Sequence, residues 1–78
     1  MERNIVTTLH RKHQPIRVRN YARLDTAVPR ATQLAIMDGQ PGDVVTIHHA
    51  VTGLEIGSIK VSIRKGEVRL KTAYAWEQ

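Results

Sequence analysis

The sequence predicts a small α+β fold: a mostly antiparallel sheet of about four to five strands, ending in a three-stranded meander, with one short helix in the order β-β-α-β-β-β. Three observations lead there. Eight Val and seven Ile among 78 residues supply branched side chains that pack well on a pleated surface. Residues alternate strictly from Gln14 to Tyr21, which is the period of a half-buried strand, and Val68, Leu70, Thr72, Tyr74 and Trp76 share one face of a last strand. Only the stretch between Asp25 and Gly39 leaves that period and carries helix signals instead.

In chain order, residues 5–9 form a weakly marked first strand, followed by the polar connection His10-Arg11-Lys12-His13. Gln14 to Tyr21 is a clearer strand, with Ile16 and Val18 expected on the core face and Arg17, Arg19 and Tyr21 on the other. The helix is expected to span about two to three turns, with Asp25 or Thr26 at or near its cap, Pro29 at its first position, and Ala31, Leu34, Ala35 and Ile36 as its apolar stripe. It ends at Gly39, and Pro41-Gly42 supplies the two central residues of a type II turn. Val45, Ile47, His49 and Val51 then share one parity, and Val51-Thr52-Gly53 turns the chain. In the returning strand the apolar parity shifts from Leu54 and Ile56 to Ile59, Val61 and Ile63, so a β-bulge or bend is expected at Gly57-Ser58. After a turn at Lys65-Gly66, Val68, Leu70, Thr72, Tyr74 and Trp76 line one face of the last strand.

No repeat, low-complexity tract or linker divides the chain, so residues 1–78 are expected to form one domain, with residues 1–4 flexible. There is no cysteine, hence no disulfide, thiolate ligand or thiol nucleophile, and the N-terminal residues lack the continuous apolar run of a secretory leader. Nothing approaches the length of a membrane span, and an intracellular, cytoplasmic setting with no membrane partner is expected. The net charge of +5 is unevenly placed, with basic ends around a middle that holds Asp25, Asp38, Asp43 and Glu55. That asymmetry points to a polyanion or an acidic protein surface as partner.

Catalysis is not expected. Ser58 and Ser62 stand in strands without a base beside them in the pattern, Asp38 and Asp43 flank a Gly/Pro turn where short carboxylates cap backbone donors, and the glycines form no phosphate-binding loop. Neither a metal nor a cofactor is expected. His48 and His49 are adjacent on a strand and point to opposite faces, while His10 and His13 share a face only in a helix. The plainer account packs His49 near the core and leaves His48, His10 and His13 solvated.

The residues that do carry a functional expectation are cations. Arg17, Arg19, Tyr21 and Arg23 share one parity, Lys60 and Arg64 share another strand's outer face, and Arg69 and Lys71 alternate with Val68 and Leu70. Were these strands neighbours, the cations would form one surface that neutralises phosphates, with Tyr21 stacking on an unpaired base. The plain structural account is the ordinary polar side of an antiparallel sheet. The competing functional account is a small adaptor or assembly subunit acting through protein–protein contacts, as a homo-oligomer in one version, with Tyr74 and Trp76 either capping the core or anchoring the partner.

The stretch from Ala27-Val28-Pro29-Arg30 to Gly39-Gln40-Pro41-Gly42-Asp43-Val44-Val45-Thr46-Ile47 resembles part of the swapped-hairpin DNA-binding domains of the AbrB/antitoxin type. There a strand ending in an apolar-Pro pair leads to a short helix and a Pro-Gly-Asp turn. The resemblance covers about twenty residues. Gln33 and Ile36 stand with shifted spacing where that family carries Arg and Leu, and the C-terminal meander lies outside its pattern, so no family is assigned.

Overall fold

The structure, a computed structural model, describes residues 4–75. Its elements are β1 (Ile5–Arg11), β2 (Gln14–Tyr21), α1 (Leu24–Asp38), β3 (Val44–His49), β4 (Glu55–Arg64) and β5 (Glu67–Tyr74). The strands form one antiparallel sheet in the order β2-β1-β3-β4-β5, the α+β architecture and meander that the sequence predicts. The helix packs across one face, over β1, β3 and β4, and leaves the other face open.

α1 begins at Leu24 and runs 15 residues, about four turns rather than two to three. Arg23 takes the N-cap position in an extended conformation without a side-chain cap, Asp25 lies in the first turn where a carboxylate suits the helix dipole, and Pro29 sits inside the helix, not at its first position. Val28-Pro29 is therefore helical, and the local resemblance to a strand ending in an apolar-Pro pair fails at that point. The face against the sheet is Ala27, Ala31 and Ala35, all fully buried at a spacing of four. Leu24, Val28 and Leu34 flank that stripe, whereas Ile36, expected in it, is 58% exposed. With methyl groups as spacers, the helix lies close upon Ile5 and Leu9 of β1, Val45 and Ile47 of β3, and Ile59 and Val61 of β4. Gly39 closes the helix where a Cβ would collide with the Ala35 carbonyl and lie 2.8 Å from Val61 Cγ2, so it is required by space.

The turns follow their chemistry. Gly42 has φ of 92° and the Asp43 N–H donates to the Gln40 carbonyl at 2.9 Å, the type II turn that Pro41-Gly42 predicts. Lys65 and Gly66 both have positive φ, as a two-residue hairpin requires. The β1–β2 hairpin uses the same geometry at Lys12 (53°) and His13 (68°), both in the left-handed region, so the connection is two residues long and His10 and Arg11 belong to β1. Around Gly53, the Gly53 N–H donates to the His49 carbonyl and the His49 N–H to the Leu54 carbonyl, and Val51 lies in the turn, 84% exposed, instead of continuing the buried parity.

Two bulges set which side chains face the helix. In β4 the register passes from Ile47↔Gly57 to His48↔Glu55, which makes Ile56 the additional residue and buries both Ile56 and Gly57. The predicted parity shift is thus absorbed one residue before Gly57-Ser58. The second bulge overturns the expectation for β2. The tight turn pairs Arg11 with Gln14 and His10 with Pro15, but Leu9 then pairs with Arg17, leaving Ile16 as the additional residue. A one-residue slip moves every following side chain to the opposite face. Arg17, Arg19 and Tyr21 stand beside Leu9, Thr7 and Ile5 on the helix side, Val18 emerges on the open face at 50% exposure, and Ile16, the additional residue, is 46% exposed. Thr7 is fully buried beside Arg19, and its hydroxyl has no hydrogen-bond partner among the described residues.

Candidate nucleic-acid interface

The strand order separates the expected basic surface into two. β2 is one edge of the sheet and β5 the other, with β1 and β3 between β2 and the β4–β5 hairpin. The faces differ as well: Arg17, Arg19 and Tyr21 share the helix side, and Lys60, Arg64, Arg69 and Lys71 share the open side. Arg23 lies beyond β2 at the start of α1, where its Nη2 donates to Asp25 Oδ2 at 2.8 Å with both side chains largely exposed.

On the open face, antiparallel pairing sets Lys60 directly opposite Lys71, Ser62 opposite Arg69 and Arg64 opposite Glu67. The Ser62 hydroxyl donates to the Arg69 carbonyl at 3.3 Å. Lys65, in the turn, joins Ser62, Arg64 and Arg69 around a shallow concavity of about 390 Å³. Five cations therefore meet one carboxylate, Glu67, which pairs with Arg69 at 3.3 Å in a solvent-exposed contact. No carboxylate among the described residues pairs with Lys60, Arg64, Lys65 or Lys71. Like charges directly opposite on a strand pair are unfavourable for the fold alone, and an anion laid across them removes that cost.

On the helix side, β2 and α1 enclose a groove of about 300 Å³. Arg17, Arg19 and Tyr21 line it from the strand, and Arg30, Gln33, Leu34, Met37 and Asp38 from the helix, with Met37 73% exposed. Arg17 Nη1 stands 3.7 Å from Asp38 Oδ2, both about half exposed, which leaves three guanidinium groups against one weakly engaged carboxylate. Arg30 donates to Gln33 Oε1 at 3.3 Å. Tyr21 is half-buried and packs against the core, so its ring is only partly available for stacking.

Arg30 and Lys65 belong to these clusters although the sequence reading passed over them. Lys65 is signalled by its place beside Arg64 in a two-residue turn. Arg30 carries no such signal, because the side of α1 that meets β2 depends on how the alanine stripe docks.

The histidines take separate places: His49 is half-buried on the helix side, His48 half-buried on the open side, His13 exposed in its turn, and His10 Nε2 lies 3.1 Å from Thr46 Oγ1. His10 is thus partnered, not merely solvated. Among the described residues no three His, Asp or Glu side chains converge as a metal site requires, and no helix is long and apolar enough to cross a membrane. Tyr74 stands opposite Gly57 with its ring over that glycine, at a place where an added Cβ would lie 2.5 Å from Tyr74 Cδ1. Tyr74 therefore caps the sheet's own end, while Trp76 lies outside the described residues. No protein-family model, curated protein or solved structure matches this chain.

Proposed function

We propose that the chain is a non-enzymatic binding module that engages nucleic acid through the open face of the β4–β5 hairpin. The observation that carries this reading is the Lys60–Lys71 pair: two ammonium groups held opposite one another without a carboxylate partner, with Arg64, Lys65 and Arg69 continuing the array. Phosphates laid along these cations release counterions, and the sheet supplies a rigid spacing for successive contacts. Among the described residues the array is made of cations and Ser62, so the binding is proposed to be electrostatic and tolerant of sequence. Arg17, Arg19, Tyr21 and Arg23, expected in the same interface, face away from it and are not part of this surface.

The test is a salt titration of binding to a short single strand and to a duplex. Five phosphate contacts predict a loss of about 10²–10³ in affinity between about 50 and 200 mM salt. The double variant Lys60→Ala/Lys71→Ala should reduce the slope of log affinity against log salt by about 1.5–2. Salt-independent retention, or an unchanged slope in the double variant, overturns the reading. The alternative, an adaptor acting through protein contacts, is supported by the half-exposed Ile16 and Val18 and by the two open sheet edges.

A further inference from the structure

We propose that the β2 edge is a docking site for an extended peptide of another protein in which acidic and apolar residues alternate, added to the sheet as a sixth strand. β2 is an outer strand, so alternate residues along it direct backbone N–H and C=O groups away from β1. Such an edge is the template for strand addition, in which main-chain hydrogen bonds provide affinity and alternate side chains provide specificity. Pro15 lacks a donor and Ile16 is the bulge residue, so the receptive stretch is residues 17–19.

The side-chain pattern along this stretch selects the partner. On the helix side, Arg17 and Arg19 line one groove with Arg30 and Leu34. On the open side, Val18 is half exposed. A strand laid against β2 places every second residue next to the guanidinium groups and the intervening one next to Val18. The complementary sequence is therefore acidic, apolar, acidic.

A second copy of this chain does not fit. Two β2 strands paired antiparallel about a two-fold axis oppose arginines with arginines on the helix side. The other free edge, β5, offers Arg69 and Lys71 on one face and Val68 and Leu70 on the other, with Glu67 its one acidic residue, already engaged by Arg69. A nucleic-acid strand meets the arginines but has no use for the backbone edge or for Val18, which is why a peptide is favoured.

The probe is a synthetic peptide of about eight residues alternating Glu and Val, compared with a peptide of the same composition whose glutamates are contiguous. The alternating peptide should bind about tenfold more tightly than the blocked one, and Arg17→Ala/Arg19→Ala should remove about tenfold of that affinity. Arg30→Ala, on the helix and outside the sheet, should weaken binding in the same direction. Methylating alternate backbone nitrogens of the peptide should abolish binding in one of the two phases and spare it in the other. Lys60→Ala/Lys71→Ala should leave peptide binding unchanged, so failure here is separate from failure of the nucleic-acid reading. Equal binding of the two peptides, or insensitivity to both methylation phases, overturns the proposal. An oligonucleotide whose binding depends on Arg17, Arg19 and Arg30 while the peptide does not bind also overturns it and assigns the groove to nucleic acid.

Discussion

Arg11 grips Asp43 across the end of the sheet: Nε donates to both carboxylate oxygens at 3.2 Å and Nη2 to Oδ2 at 2.9 Å. The Gln40 N–H adds a third donor at 2.8 Å, and Arg11 Nη2 reaches on to the Asp38 carbonyl at 3.3 Å. One carboxylate thus joins β1 to the turn between α1 and β3. Its side chain is 3% exposed, against 34% for Arg11. The Arg11 hydrogen bonds hold the Asp43 carboxyl below its ordinary value of 3.8, with burial opposing and the Gln40 N–H assisting. A folded-state value below the unfolded one means that this group's stabilisation is fully present above the ordinary value and is lost as pH falls through the folded value. Thermal melts followed by circular dichroism should show stability falling as pH drops below about 4. Asp43→Asn should lower stability at neutral pH by about 1–3 kcal/mol and flatten that acid dependence.

The β2 bulge makes a contrast between two strand residues. Val18 is half exposed and Ile47 fully buried. Val18→Ala should therefore change stability by no more than about 0.5 kcal/mol, and Ile47→Ala, in the core, should cost about 2–5 kcal/mol. Urea titration of both variants measures this. A large cost at Val18 contradicts the bulged register.

The β1–β2 turn holds Lys12 and His13 at positive φ, a conformation that suits Asn and Gly far better. Replacing the pair by Asn-Gly should stabilise the protein by about 1 kcal/mol, which in a domain of this size raises Tm by about 4–8 °C. Differential scanning calorimetry reads the shift.

Two glycines are fixed by neighbours and not by torsion. A Cβ at Gly39 meets the Ala35 carbonyl and the Val61 side chain, and one at Gly57 meets the Tyr74 ring. Gly39→Ala should cost about 1–3 kcal/mol, because backbone and core both have to move. Gly57→Ala should instead displace the Tyr74 ring, seen as a shift of its aromatic proton resonances, while the strand pairing of β4 with β5 persists.

The parts of this fold that were legible in the sequence are those written locally. Pro41-Gly42 and Lys65-Gly66 announce their turns, and alternation announces β2 and β5. Helix length was not legible, since Arg23 is no conventional cap and Pro29, a good first residue, stands in the second turn. The cationic site was half legible. Parity grouped Arg17 with Arg19 and Tyr21 correctly, but their face was decided by one additional residue, Ile16, in the ladder with β1. A hydrophobic pattern has period two and carries no record of where that period slips. Strand order was equally hidden, because pairing of β1 with β3 is a long-range event.

Ala27, Ala31 and Ala35 have a consequence away from the core. They fix the standoff between α1 and the sheet at one methyl group per turn, and so fix the aperture between Arg30 and the arginines of β2. That opening is set by residues that do not line it. Widening it by Ala31→Val would alter what the opening admits without changing a single charge around its rim.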